Sequence, residues 1–158
     1  MAYPYGYTIF CDDIRQEVGG KVSLVGVYRH VLFIRGDFPF TLPKFAMSIV
    51  YTELQSECPP KVELRVIFPG DDENNPTIAG EIGLPQTSAK TTSPLQDLVV
   101  KDPDDDGFRI NQGFAQIILS PLVLQKEGSI RVRVKRGDEI VRLGRLLVAK
   151  APPNLEIK

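Results

Sequence analysis

The chain of 158 residues contains no tryptophan, one histidine and two cysteines. Cys11 and Cys58 are too few and too far apart for a zinc pattern or a Cys-x-x-Cys redox motif. His30 is the only histidine, so catalysis by it would need a nucleophile or an acid nearby, and only Cys11, Asp12 and Asp13 on the neighbouring predicted strand are candidates. A metal centre built on histidine and cysteine is therefore excluded, and a catalytic triad is a poor explanation of the chain.

Motifs for nucleotide and acyl chemistry are also missing. There is no Gly-x-Ser-x-Gly turn, and Gly19-Gly20 lacks the following helix that a phosphate-binding loop requires. We therefore predict a protein that is not an enzyme and that needs no cofactor. An enzyme centred on Asp12, Asp13 and His30 remains the alternative.

No apolar run approaches the roughly 18 residues of a membrane span. The N-terminal residues lack the basic and apolar regions of a secretory signal, so we expect a cytoplasmic protein with both thiols reduced. The formal net charge is −1, which gives the molecule as a whole no attraction for nucleic acid. Recognition by charge would therefore depend on local patches, and we do not expect nucleic acid as a partner.

The sequence is rich in alternation with a period of two. Segments 62–68 and 130–135 place apolar side chains on one face and mainly charged ones on the other. In 45–51, Phe45, Met47, Ile49 and Tyr51 share one face and alternate with the small or apolar residues 46, 48 and 50. Strands of this kind bury their apolar faces against a second sheet. We predict an all-β protein, a single domain over residues 1–158 with the architecture of an antiparallel β-sandwich; a barrel is the alternative. The one segment with helical signals is 93–100.

Two β-type runs near the N-terminus, 7–14 and 22–28, flank a link that ends in Gly19-Gly20, which predicts a hairpin. This part of the chain resembles a family of small bacterial proteins, a domain of unknown function with a predicted β-sandwich fold. The residues that carry the resemblance are Phe10-Cys-Asp-Asp-Ile-Arg-Gln-Glu17, Gly20-Lys21, Leu24-Val-Gly-Val-Tyr28 and Phe38-Pro-Phe-Thr-Leu-Pro-Lys44. The resemblance implies the same fold and a bacterial or phage-related origin in the cytoplasm. It implies no catalytic residues.

Asp12 and Asp13 lie inside a strand pattern, where aspartate is depleted. If the strand continued regularly, one of the two would follow an apolar face inward. Such a carboxylate could bind a metal or a substrate. The alternative is structural, with an aspartate that pairs with Arg15, Lys21 or Arg29 or accepts backbone amides at a strand end.

Asp102, Asp104 and Asp106 alternate as in the opening of a calcium-binding loop and are candidate metal ligands. The pattern then fails, because Gly113 stands where an EF-hand requires a glutamate and no helices flank the loop. Acidic loops at one end of a β-sandwich can still hold calcium, and 71–75 could supply a second such loop. A calcium-dependent module is therefore an alternative function, with weak or no binding expected at the Asp102 loop.

Two strongly alternating strands near the C-terminus are joined by Gly137-Asp138, which predicts a two-residue hairpin turn. This register sets Val132 opposite Leu143 on the apolar face and Arg133 opposite Arg142 on the other face. The second face then carries four cations: Arg131, Arg133, Lys135 and Arg142. Like charges directly opposite each other are unfavourable, so the stripe has four possible explanations: acidic residues of the same chain, an acidic partner, nucleic acid, or a solvated face with screened repulsion.

From these patterns we predict a binding or assembly module that acts through protein–protein contacts. The unpaired edges of its strands could pair with a second copy of the chain or with a strand of a partner. The basic stripe could dock an acidic surface of another protein. No membrane contact is expected.

Overall fold

The computed structural model describes residues 3–84 and 110–156, which form twelve β-strands and a short 3₁₀ turn at Gln55–Glu57. The strands are β1 (Tyr5–Cys11), β2 (Asp13–Gln16), β3 (Val22–Val25), β4 (Val31–Ile34), β5 (Phe40–Leu42), β6 (Phe45–Leu54), β7 (Lys61–Ile67), β8 (Ile78–Gly83), β9 (Ile110–Leu119), β10 (Leu122–Leu124), β11 (Gly128–Arg136) and β12 (Glu139–Lys150). None of the described elements is a helix long and apolar enough to cross a lipid bilayer. The prediction of an all-β protein is confirmed, whereas the helical candidate 93–100 lies outside the described residues.

Hydrogen bonding divides the strands among four sheets. One sheet has the order β1-β6-β9, a larger one has the order β4-β12-β11-β7-β8, and β2-β3 and β10-β5 form short pairs. Every pairing is antiparallel except that of β12 with β4, which is parallel. This pair departs from the predicted antiparallel arrangement. Parallel neighbours need a long crossover between them, and here the segment 35–138 separates the two strands.

The three-stranded and five-stranded sheets share one apolar core. Its most deeply buried members include Phe45, Met47, Ile49 and Tyr51 of β6 and Ile130, Val132 and Val134 of β11. Burying an aliphatic or aromatic side chain of this size stabilises a fold by about 1.5–3 kcal/mol. The sheets approach most closely at β1 and β12, where a Cβ on Gly6 would lie 2.8 Å from Leu143 Cδ2. The alternation in the sequence therefore corresponds to side chains that face this core.

The predicted N-terminal strand is broken at Asp12. β1 stops before it and belongs to the three-stranded sheet, whereas β2 begins after it and pairs with β3. The amide of Asp12 donates to the carbonyl oxygens of Val25 (2.9 Å) and Gly26 (3.2 Å). The predicted hairpin is present, but it is shorter than 7–14 and 22–28, because aspartate is disfavoured inside a strand and the chain turns at it.

The hairpin β2-β3 covers one end of the outer face of the three-stranded sheet. Its turn includes Gly19 (φ 83°) and Gly20 (φ 74°), a conformation that glycine adopts readily. The contact is a small second apolar cluster of Cys11, Ile14, Leu24 and Ala46. At its end, the Gln16 side chain donates a hydrogen bond of 2.6 Å to that of Gln116 on β9.

Candidate functional site: the basic face of the five-stranded sheet

The C-terminal hairpin places arginines opposite one another, as the sequence predicts. β11 and β12 meet at a turn in which Gly137 has a φ of 58°. The register pairs Arg136 with Glu139, Lys135 with Ile140, Val134 with Val141 and Arg133 with Arg142. Beyond these pairs the prediction is wrong, because a bulge between Val132 and Arg133 sets Val132 opposite Gly144 instead of Leu143.

The bulge enlarges the basic stripe. It brings Arg145 opposite Arg131, a pair that the regular register did not predict. On the other side of β11, Arg65 of β7 lies opposite Arg133. We define the basic face as six outward side chains on three neighbouring strands: Arg65, Arg131, Arg133, Lys135, Arg142 and Arg145.

Acidic residues of the same chain neutralise part of this face. Glu73 Oε1 lies 2.5 Å from Arg131 NH1, and Glu63 Oε1 lies 2.7 Å from Arg65 Nε. The hydrogen bond from Arg65, together with its charge, lowers the pKa of the Glu63 carboxyl against the effect of desolvation. Glu63 also lies opposite Lys135, whose charge contributes to this lowered pKa. One of the four explanations, compensation within the chain, therefore reaches three of the six cations: Arg65, Arg131 and Lys135.

The other arginines are compensated less well. Arg133 is half-buried, and its NH1 donates to the carbonyl oxygens of Val132 (3.0 Å) and Gly144 (3.4 Å) at the bulge. Partial burial, followed by the positive charges of Arg142 and Arg131, lowers the pKa of the Arg133 guanidinium. Arg142 and Arg145 are exposed, and no ion pair reaches either of them from residues 3–84 and 110–156. Among the residues that the structure describes, the face therefore keeps an excess of positive charge.

The aspartates at the strand break have structural partners. Asp12 is exposed and accepts a hydrogen bond from the hydroxyl of Tyr28. Asp13 lies 2.5 Å from Lys44 Nζ and 3.6 Å from Arg15 Nε, and its carboxylate accepts the amide of Ile14 at 2.9 Å. The hydrogen bond from Lys44 lowers the pKa of Asp13. Pairing with Arg15 was among the predicted structural roles, while Lys44 takes the place suggested for Lys21 or Arg29.

Neither of these aspartates lines the cleft in which His30 lies. This cleft of about 390 Å³ is lined by His30 together with Val31, Ser129, Arg145 and Leu147. No hydrogen bond or ion pair within the described ranges joins His30 to Asp12 or Asp13. Both cysteines are free, Cys11 is buried, and burial raises the pKa of its thiol, which makes it a poor nucleophile.

The acidic loop 71–75 organises its own turn. The Asp71 carboxylate accepts hydrogen bonds from the amides of Phe68 (2.9 Å) and Thr77 (2.8 Å) and from the Thr77 hydroxyl (2.9 Å). Burial opposes the ionisation of Asp71, but these hydrogen bonds outweigh it and lower its pKa. The candidate calcium ligands Asp102, Asp104 and Asp106 lie outside the described residues, and the part of the chain that is described contains no group of three His, Cys, Asp or Glu residues placed to hold a metal ion.

A buried polar cluster escaped the sequence analysis. Glu53 is only 1% exposed, and its Oε2 accepts a hydrogen bond of 2.7 Å from the Tyr51 hydroxyl. Its Oε1 lies 2.5 Å from Arg136 Nε, outside hydrogen-bond geometry, so this attraction is ionic. Burial, followed by the hydrogen bond to Glu53, raises the pKa of Tyr51. The sequence did contain a signal for a buried glutamate, because the alternation that turns residues 45, 47, 49 and 51 toward the core continues to residue 53.

The basic face differs from the other charged groups described above, because residues 3–84 and 110–156 supply acidic partners for only part of its charge. Asp12, Asp13, Asp71 and Glu53 each have a partner that explains their position. Comparisons of the chain with protein-family models, with curated proteins and with solved structures found no match. A functional proposal for this protein is therefore based on the residues of its own chain.

Proposed function

We propose that the protein is a non-catalytic binding module that docks an acidic surface of another protein on its basic face. The observation that supports this proposal is the position of Arg133, which has Arg142 on one side and Arg65 on the other. Like charges opposite each other on neighbouring strands are destabilising. A partner that supplies carboxylates would remove this repulsion.

The cost of the arrangement to the free protein is small. Exposed charge pairs interact by about 1 kcal/mol or less, so the repulsion is tolerated while the partner is absent. Arginine is suited to the bound state, because its planar guanidinium can make two parallel hydrogen bonds to one carboxylate. Arg142 and Arg145 are exposed and can reach such a partner without rearrangement of the sheet.

An acidic protein fits this face better than nucleic acid does. Glu63 and Glu81 lie opposite each other on β7 and β8, next to the arginines, and would repel a phosphate backbone. A protein surface can place a cation there and carboxylates elsewhere. Sites for single-stranded nucleic acid also interleave aromatic side chains with cations, and none of the six residues of the basic face is aromatic. The mixed pattern of charge therefore favours a protein.

The proposal is tested by charge reversal at Arg142. We expect Arg142→Glu to lose the partner that the wild-type protein retains from a native cell extract, with a change in stability below about 0.5 kcal/mol. Arg145→Glu should have the same effect. The matched control is Lys21→Glu, an equal charge change at the exposed turn of β2-β3. Quantitative mass spectrometry of the retained proteins gives the result. Retention of the same proteins by all three variants at wild-type levels would contradict the proposal.

Arg133 is unsuitable for this test despite its central position. Its guanidinium binds two carbonyl oxygens at the bulge, so its replacement would disturb the backbone of β12. A loss of binding in Arg133→Glu would then have two explanations.

A further inference from the structure

We infer that the outer face of the three-stranded sheet is a contact between two copies of this chain. This face is distinct from the basic face and rests on different residues. It consists of outward-facing positions of β1, β6 and β9 beyond the part that the hairpin β2-β3 covers, and among them Val50 and Thr52 of the central strand are buried, at 7% and 0% exposed. We call it the uncharged face: Tyr5, Tyr7, Ile9, Ser48, Val50, Thr52, Gln112, Phe114 and Gln116.

Two aromatic residues dominate the uncharged face. Phe114 is 67% exposed and Tyr7 is 51% exposed, and the two lie on either side of Val50 in the register of the sheet. Aromatic side chains are enriched at the centres of protein interfaces and contribute much of their binding energy. A single exposed apolar residue needs no explanation, but neighbouring ones on one sheet face mark an interaction site.

The hairpin β2-β3 covers one end of this sheet face with apolar side chains, and the rest of the face has no such cover from the hairpin. At one end, Ile14 and Leu24 of the hairpin pack on Cys11 and Ala46. The cover ends where the Gln16 side chain binds that of Gln116. Tyr7 and Phe114 lie beyond this point and remain exposed.

The charge pattern identifies the occupant as a second copy. A two-fold contact places the same patch on both subunits, so any charge near the axis faces its own kind. None of the nine residues of the uncharged face is Asp, Glu, Lys, Arg or His. Its polar members can pair with themselves, because glutamine, serine and threonine side chains both donate and accept hydrogen bonds. The basic face has no such self-complementarity.

The size of the uncharged face determines how tightly two copies of the chain are expected to bind each other. Stable interfaces bury about 800 Å² on each partner, whereas the exposed residues of the uncharged face are only Tyr7, Gln112, Phe114 and Gln116. We therefore expect a monomer–dimer equilibrium that depends on concentration rather than an obligate dimer. Both basic faces would remain accessible in such a dimer, since they lie on the other sheet.

Sedimentation velocity over a range of concentrations tests this inference on the full chain. The mass of the wild-type protein should rise with concentration from 17.6 kDa toward twice that value. Phe114→Glu should remain at the monomer mass throughout, because dimerisation would bury two opposed carboxylates. The matched control is Val18→Glu, at a hairpin residue that is 93% exposed, which should dimerise like the wild type.

Circular dichroism tests whether the Phe114→Glu variant is folded. If this variant is unfolded, Tyr7→Glu is used in its place. A wild-type protein that stays monomeric at the highest concentration would overturn the inference, and so would a Phe114→Glu variant that dimerises normally. Loss of the dimer in Arg142→Glu would also overturn it, because the contact would then involve the basic face.

Discussion

The outer faces of the two main sheets differ in kind, although their inner faces are alike. Met47 of β6 and Val132 of β11 are both fully buried in the shared core. On the outside, the five-stranded sheet carries six cations, whereas the three-stranded sheet carries uncharged residues around Tyr7 and Phe114. Packing dictates the inner residues. It places no such demand on the outer ones, so their composition is the better guide to partners.

The two outer faces also suit different partners for one electrostatic reason. A face with an excess of one charge repels a copy of itself and attracts the opposite charge. An uncharged face can meet its own copy without this repulsion. If both contacts form, the dimer presents two basic faces, and a partner with two acidic segments would bind with the gain of avidity.

The largest effect on stability should come from an inward residue. Glu53→Ala would remove the ionic partner of Arg136 and the hydrogen-bond acceptor of Tyr51. Breaking a buried ion pair costs roughly 3–5 kcal/mol; because Arg136 is 27% exposed, we expect a value near 3 kcal/mol. Urea unfolding followed by far-ultraviolet circular dichroism measures it, since the chain has no tryptophan to report by fluorescence.

Glu139→Ala is the control for this prediction. Glu139 also pairs with Arg136, at 3.7 Å, but it is exposed, so its loss should cost less than about 1 kcal/mol. Equal effects of the two variants would mean that burial does not distinguish the inner residues from the outer ones in this protein.

Period-two alternation predicted the strands well, because it reports which side chains face a core. It placed 45–51 within β6, matched β7 except for its predicted last residue, Phe68, and gave four correct pairs at the C-terminal hairpin. It failed where the backbone departs from regular geometry: at Asp12, where one run divides between two sheets, and at the bulge after Val132. The parallel pairing of β4 with β12 depends on contacts between distant segments, which a local pattern does not report.

The candidate site was predictable only in part, for the same reason. Arg131, Arg133, Lys135 and Arg142 follow from the hairpin, whereas Arg65 and Arg145 join them through a strand pairing and a bulge that the sequence did not indicate. The partner of Arg131, Glu73, comes from a loop far away in the chain. The uncharged face was not predicted, because it combines three strands whose order in the sheet differs from their order in the sequence.

Salt should separate the two proposed contacts. In a sodium chloride titration from about 0.05 to about 0.5 M, the affinity of the complex at the basic face should fall several-fold. The reason is that the Debye length is about 10 Å at 0.1 M salt and becomes shorter at higher concentrations. The dimer at the uncharged face should keep its dissociation constant or tighten slightly. Sedimentation at each salt concentration measures both. Equal salt dependence of the two contacts would remove the electrostatic distinction between the faces.

The smallest expected effect is on the pH dependence of stability, and it involves the loop 71–75, whose Glu73 pairs with Arg131 of the basic face. Hydrogen bonds from Phe68 and Thr77 outweigh burial and hold the pKa of Asp71 below its ordinary value of 3.8. As the pH falls, the unfolded chain therefore binds a proton at Asp71 before the folded chain does. The stability that Asp71 contributes is present above this ordinary value and is lost as the pH falls toward the lowered pKa of the folded state.

We expect Asp71→Asn to lose less stability than the wild type between roughly pH 5 and pH 2, starting from a slightly lower value at neutral pH. Urea midpoints at several pH values measure the difference, with Asp138→Asn at the exposed hairpin turn as control. Because Glu73 lies in the same loop and pairs with Arg131, loosening the loop should also free that arginine, so Asp71→Asn should bind an acidic partner at least as well as the wild type. Identical pH profiles for Asp71→Asn and the wild type would show that this carboxylate does not hold the loop against the basic face.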